Sequence, residues 1–192
     1  MKPKRCKFKG CGVLFTPRSP MQCACSPLCA MEIVRAKKEQ ADTKARQAAR
    51  KADRQKREVM KTIPQLKKEA QIEFNRFIRA RDRAAGFSCV CCDRPLEWQR
   101  IGGAVDAGHY RSTGSADHLR FDEDNCHAQR SDCNRYGAGR AVDYRIGLIR
   151  RIGAERVEAL ENRNQTAKWE RDFLRDIKAT YRAKARELEK QQ

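Results

Sequence analysis

Apolar residues are unevenly distributed along this chain, and their spacing predicts where helices form. After Pro64, the residues Leu66, Ala70, Phe74, Phe77 and Ile78 recur at helical spacing, so 65–84 reads as an amphipathic helix docked on a core, stopped by Gly86. The stretch VDYRIGLIRRIG at 142–153 returns to helix and ends at Gly153. A last helix is expected from about Thr166, with Trp169, Phe173, Ile177 and Tyr181 forming an i, i+4 stripe for packing. Between these helices, residues 87–140 are rich in Gly, Asp, Asn and Ser and read as turns. Upstream, from about Glu32 to Lys61, good helix formers accumulate with almost no large apolar residue, which predicts a long solvated helix. The first thirty residues are loop-rich, with a short strand in CGVLF and a tight knuckle at CSPLCA. This pattern divides the chain into a knuckle (1–31), a helical arm (32–63), a core with its packing helices (64–153) and a C-terminal helical region (154–192).

Charge narrows the partners. Forty-three Lys and Arg against 25 Asp and Glu leave a formal +18 on 192 residues, which points to a polyanion. Nucleic acid is the first candidate and an anionic membrane surface the second. No apolar run is long enough to span a bilayer. The basic start MKPKRCKFKG is followed by no apolar segment, so a cytoplasmic, non-secreted protein is expected. The arm at 32–63 is either a charged spacer or a basic rod lying along phosphates.

Ten cysteines without an export signal argue for metal ligation over disulfides. Cys6-x4-Cys11 with Cys25-x3-Cys29 forms one group, and Cys89-x2-Cys92 with Cys126 and Cys133 forms another. Two structural Zn²⁺ ions are expected. For a segment as short as 1–31, one such ion supplies about 10 kcal/mol that a small core cannot. Cys23 is left without a role.

All three histidines fall in the turn-rich middle. His109, in DAGHYRS, has an imidazole suited to general-base work at neutral pH. A carboxylate and a second His or Asn nearby could hold one divalent ion, Mg²⁺ or Mn²⁺, on a phosphate. His118, in SADHLRF, has no partner at motif spacing and reads as structural.

The order DAGHY, then LRFDEDNCHAQRSDCN, resembles the HNH or ββα-metal nuclease motif. The resemblance implies His109 as general base, Asn125 as the loop-fixing Asn and Asn134 as a metal ligand. Asp106 and His127 are further candidates, and His127 either ligates or buttresses the loop. The usual ligand immediately before the base is replaced here by Gly108, from which Asp106 stands two residues away. Arg111 and Arg120 are candidate phosphate contacts.

Taken in order, CSPLC, the basic arm, FIRARD, CVCC, DAGHYRS, LRF, NCHAQ, CN and YRIGLIRRIG are together similar to the NinG (Rap) family of lambdoid phage recombination proteins. That resemblance covers nearly the whole chain. It implies a structure-specific endonuclease acting on branched intermediates such as Holliday junctions and D-loops. One departure concerns zinc: Arg130 stands where the family places the first Cys of the second pair. Cys126 is the expected substitute, with Cys91 the lesser alternative. The expected fold is a small α+β protein, with a zinc-stabilised HNH-like core flanked by helices. The rival reading is a non-catalytic zinc-containing nucleic-acid-binding protein. A third is a scaffold for other recombination proteins working through the Trp169 helix. A two-fold junction would suit a homodimer.

Overall fold

In the computed structural model, which describes residues 1–100 and 103–191, the chain forms two compact units, 1–61 and 62–192. The first unit begins with a short antiparallel pair, β1 (Lys4–Arg5) and β2 (Leu14–Phe15), in which Lys4 faces Phe15. Ser26 then caps α1 (Pro27–Met60), its side chain accepting from the Cys29 amide at 3.2 Å while Pro27 occupies the first turn. No residue of α1 is buried, as its lack of an apolar face dictates.

The second unit starts with α2 (Ile63–Ala84). Thr62 and Gln65 form a reciprocal capping box: the Thr62 amide donates to Gln65 Oε1 at 2.8 Å, and the Gln65 amide donates to Thr62 Oγ1 at 3.4 Å. Its buried face carries Leu66, Ala70, Phe74, Phe77 and Ile78, the residues whose spacing predicted it. The turn-rich middle contains a hairpin of β3 (Val105–His109) and β4 (Cys126–Arg130), joined by the loop 110–125, which carries a short helical turn at Asp117–Leu119. The register sets Asp106 opposite Gln129, Gly108 opposite His127 and His109 opposite Cys126. After β4 come a wide helical turn at Asp132–Tyr136, then α3 (Ala141–Ile152), α4 (Ala154–Asn162) and α5 (Arg171–Lys190).

The helix expected at 142–153 forms as α3 and ends where Gly153 adopts φ +84°, with α4 following at once. The last helix differs from expectation. The last helix begins at Arg171, so Trp169 precedes it. Its apolar side is occupied by α2: Tyr181 meets Phe74 edge-on at 4.8 Å between ring centres, and Phe77 at 5.2 Å. Leu174 and Ala185 are its buried residues, whereas Phe173 of the expected stripe is exposed.

One core sits between the hairpin and the C-terminal side of the unit, built from Val90, Leu119, Ala128, Tyr144, Leu148, Val157 and Leu160. A second joins α2 and α5 to Ala107 and Cys126. The hairpin thus lies between α2 and α3. The approach of α3 is so close that a Cβ on Gly147 would fall 1.6 Å from the Val90 carbonyl oxygen, which only glycine permits. No helix among the described residues is long and apolar enough to cross a membrane.

Candidate functional site

The outer edge of β4 is completed by the end of α2 and by residue 90. Asp82 is fully buried and accepts from the Ala128 amide at 2.6 Å, while the Val90 amide donates to the Ala128 carbonyl at 3.3 Å. Arg81 donates to the carbonyls of Cys126 and Glu123, each at 2.9 Å. The last turn of the helix therefore supplies hydrogen bonds that a third strand would otherwise make. Arg151 and His127 also approach the Asp82 carboxylate, at 3.4 and 3.7 Å. Burial alone would raise the Asp82 pKa, but His127 and Arg81 bring it to about 2.

The loop closing the hairpin is held by Asn125. This fully buried amide accepts from the Arg111 amide at 2.8 Å and donates to the carbonyls of Arg111 at 3.0 Å and Leu119 at 3.1 Å. His109 ends β3 at the foot of that loop. Its Nε2 lies 3.0 Å from the Arg120 carbonyl, an acceptor, so Nε2 carries the proton and Nδ1 the lone pair. Nδ1 is 3.7 Å from Cys126 Sγ, and the ring centre is 6.2 Å from that of Phe74. Burial lowers the His109 pKa, which keeps the ring neutral at pH 7.

The expected catalytic residues are thus brought together only in part. Asp106 and Asn134 meet, the Asn134 amide donating to Asp106 Oδ2 at 3.0 Å. Arg135 grips the same carboxylate with both ends, at 2.7 and 2.9 Å. Burial would push the Asp106 pKa up, and Arg135 with Asn134 holds it below its ordinary value. His127 is placed elsewhere: Nδ1 faces Arg81 at 3.1 Å, Nε2 faces the Asp124 carbonyl at 3.2 Å, and the ring is buried. It buttresses the loop. His118, Nε2 at 2.7 Å from the Arg163 carbonyl, is likewise tied to backbone.

Gly108 has a physical reason to stand before His109. A Cβ there would lie 2.2 Å from Gln129 Oε1, the side chain that fills the space a ligand at 108 would need. Gln129 is fully buried, and its amide nitrogen is committed to Cys91 Sγ at 3.2 Å and the Gly139 carbonyl at 3.0 Å. Its oxygen is left without a hydrogen-bond partner. Across the ladder from Asp106, this unpaired oxygen is the kind of hard donor that a divalent cation accepts.

Arg111 and Arg120, expected at the phosphate, are occupied within the protein. Arg111 donates to the carbonyls of Leu160, Glu161 and Arg163, capping the C-terminus of α4 where a cation is favoured. Arg120 bonds Asp117, Gln71 and the Thr113 carbonyl. Arg111 is fixed by helix-end carbonyls that sequence spacing does not reveal, whereas Arg120 is held in part by Asp117, three residues before it.

The cysteines form two clusters, each with thiol sulfurs within 4.8 Å of one another. In the first, Cys6, Cys11, Cys25 and Cys29 come together as spacing predicts. Cys11 and Cys25 sulfurs are 3.5 Å apart, and those of Cys25 and Cys29 3.7 Å. A tetrahedral zinc with Zn–S near 2.3 Å needs sulfurs about 3.8 Å apart, so the donor set fits zinc. The crowding divides the thiols: a backbone bond at Cys25 helps bring Cys6 down to about 7, while the Cys11 side chain pushes Cys25 up to about 12.

The second cluster corrects the expected ligand set. It is Cys89, Cys91, Cys92 and Cys133, and Cys126 is absent from it. Cys126 is fully buried against Phe74 and Ala107, and burial raises its pKa. Cys89 and Cys91 sulfurs are 3.6 Å apart, as are those of Cys92 and Cys133. Donors surround the group: the Arg130 amide reaches Cys89 at 3.3 Å, Gln129 reaches Cys91, and Arg94 reaches Cys92 at 3.5 Å. Burial opposes ionisation of Cys92, yet Arg94 brings its pKa to about 7. Arg130 itself pairs with Glu97 and Asp132. The missed signal was the adjacency of Cys91 to Cys92 in CVCC, two thiols on one knuckle.

The profile described as Bacteriophage Lambda NinG protein matches residues 1–191. This chain belongs to the NinG family. It is 36% identical to the NinG protein of Salmonella phage P22, covering 96% of this chain and 93% of that one. With the NinG protein of Escherichia phage lambda the identity is 35% over the same shares. With that of Escherichia phage 933W it is 42%, over 63% of this chain and 57% of the other. No solved structure matches this NinG protein.

Proposed function

We propose that this protein is a metal-dependent endonuclease of branched DNA, acting on intermediates such as Holliday junctions and D-loops in phage recombination, with an HNH-like ββα core at 105–152. The observation that carries the reading is Asn125, whose three backbone bonds staple the loop of a two-stranded hairpin that has His109 at its end and a helix following. A cysteine cluster clamps the same hairpin beside Cys89.

His109, neutral through burial, takes a proton from water on its unprotonated nitrogen, and the water oxygen attacks the phosphorus in line. Asp106 and Asn134, with the unpaired Gln129 oxygen across the ladder, would hold a Mg²⁺ or Mn²⁺ ion, displacing Arg135 from the carboxylate. When bound, that ion offsets charge on the phosphate and the departing 3′ oxygen. Branched DNA is the partner suggested by the +18 charge and the family resemblance.

A second reading, a non-catalytic DNA-binding protein, is favoured by two observations: Arg135 saturates Asp106, and the His109 lone pair faces Cys126. Labelled four-way junction incubated with Mg²⁺ or EDTA decides between them. Cleavage by the wild type that His109→Ala abolishes without loss of binding is the expected result. Binding without cleavage by the wild type leaves the second reading, and full cleavage by His109→Ala removes the role assigned to that ring.

A further inference from the structure

Along α2, arginines 76, 79 and 83 recur at i, i+3 and i+7 on one face, and a cleft of about 260 Å³ opens beside them. Its far wall is formed by Glu97, Trp98, Arg100, Gly103 and Ala104, and it ends at Val105, the start of β3, next in the chain to Asp106. Two of its cations are neutralised. Arg76 is held by Glu189 and Arg100 by Glu97. Among the described residues, Arg79 and Arg83 make no side-chain hydrogen bond or ion pair. Arg79 is also half-buried; burial lowers its pKa while the charges of Asp106 and Glu189, outside direct contact, raise it, so it is a partly desolvated guanidinium with no carboxylate within ion-pair reach. Such a cation favours an anion as a direct partner. Trp98 adds a second requirement. Its ring is partly buried against the main core, while it also lines the cleft, so it is a braced aromatic surface.

We propose that this cleft is a subsite for a single, unpaired DNA strand, whose phosphates pair with Arg79 and Arg83 while one base stacks on Trp98. A duplex cannot present a base face to Trp98, because its bases are stacked on one another; an unpaired strand at a branch can. The cleft has room for about one nucleotide unit. Its end at Val105 brings the strand to the residue that precedes Asp106, the acidic residue of the candidate centre. The inference takes from the proposed function only that the ligand is DNA.

The test uses the full-length, zinc-loaded chain with short oligothymidylate, four-way junction and fully paired duplex, binding followed by anisotropy and tryptophan emission. Trp98→Ala weakens oligothymidylate binding about tenfold and leaves duplex binding within about twofold. Arg79→Gln weakens it similarly and lowers the slope of log affinity against log salt by about 0.7. Trp98→Phe retains most of the affinity but loses the quenching of tryptophan emission that the strand produces in the wild type, an outcome a merely structural tryptophan would not give. Equal losses on all three DNAs, or wild-type affinity in both Arg79→Gln and Trp98→Ala, overturns the subsite. Tighter binding of oligouridylate than of oligothymidylate overturns its assignment to DNA. Junction cleavage by Mg²⁺ is read separately. Its absence with the subsite intact sinks the nuclease alone, and its presence in variants that bind oligothymidylate normally sinks the subsite alone.

Discussion

The hydroxyl of Tyr144 lies between the two hairpin strands, donating to the Gly108 carbonyl at 2.7 Å and accepting from the His127 amide at 3.0 Å. A fully buried side chain from α3 therefore bridges the two strands at the pair next to His109. This bridge ties the helix to the strands at the point where the candidate site begins.

Removing that hydroxyl leaves a carbonyl and an amide in the core without their partner. Tyr144→Phe should cost about 2 kcal/mol. A lowered midpoint in urea and faster hydrogen exchange at the His127 amide are the expected signs. An unchanged midpoint would mean that the strands close directly across the gap.

Asp82 makes stability depend on acid. Its pKa falls from 3.8 to about 2 on folding, despite burial, through His127 and Arg81. A depressed carboxylate contributes stability above pH 3.8, and loses it as pH falls through about 2; the difference amounts to about 2 kcal/mol. Asp82→Asn keeps an acceptor for the Ala128 amide but removes the charge facing Arg81 and Arg151. It should destabilise the protein by about 3 kcal/mol at neutral pH and flatten the change between pH 4 and 2. Thermal melts of both proteins across that range check the sign.

Metal content separates the roles of Cys91 and Cys126. Cys91→Ser should reduce bound zinc from two ions per chain to one, whereas Cys126→Ala should leave two. Elemental analysis of the purified proteins reads this directly. Loss of zinc in Cys126→Ala alone would reverse the assignment.

If His109 is the general base, its burial fixes the acid limb of the cleavage profile. The protonated ring is disfavoured by desolvation, so the limb should centre below the ordinary imidazole value of 6.5 and the rate should be flat through neutral pH. A junction-cleavage rate profile in Mg²⁺ tests it, and a limb centred above 6.5 would assign the base elsewhere.

Asn125 should matter more through its amide than through its size. Asn125→Asp keeps the acceptor for the Arg111 amide but cannot donate to the Arg111 and Leu119 carbonyls. The loop should loosen, with cleavage falling about a hundredfold and stability by about 2 kcal/mol. Comparison with Asn125→Ala shows whether the two donated bonds carry most of the effect.

The sequence by itself determined the features that depend on neighbours along the chain. Leu66, Ala70, Phe74, Phe77 and Ile78 specify one face of α2, because a helix brings every third and fourth residue together. Cys6, Cys11, Cys25 and Cys29 specify a metal knuckle, because short loops keep the thiols close. The run without apolar residues in α1 specifies a solvated rod. What only the tertiary structure decided is where polar side chains find partners. It put Asp82 under β4, sent Arg111 to the end of α4, set Gln129 over Gly108, kept Cys126 out of the central cluster and left Arg79 facing an open cleft. Helical spacing acts over a few residues and leaves a mark in the sequence, whereas a buried hydrogen bond joins groups brought together only when distant segments pack, so nothing adjacent in the chain records it.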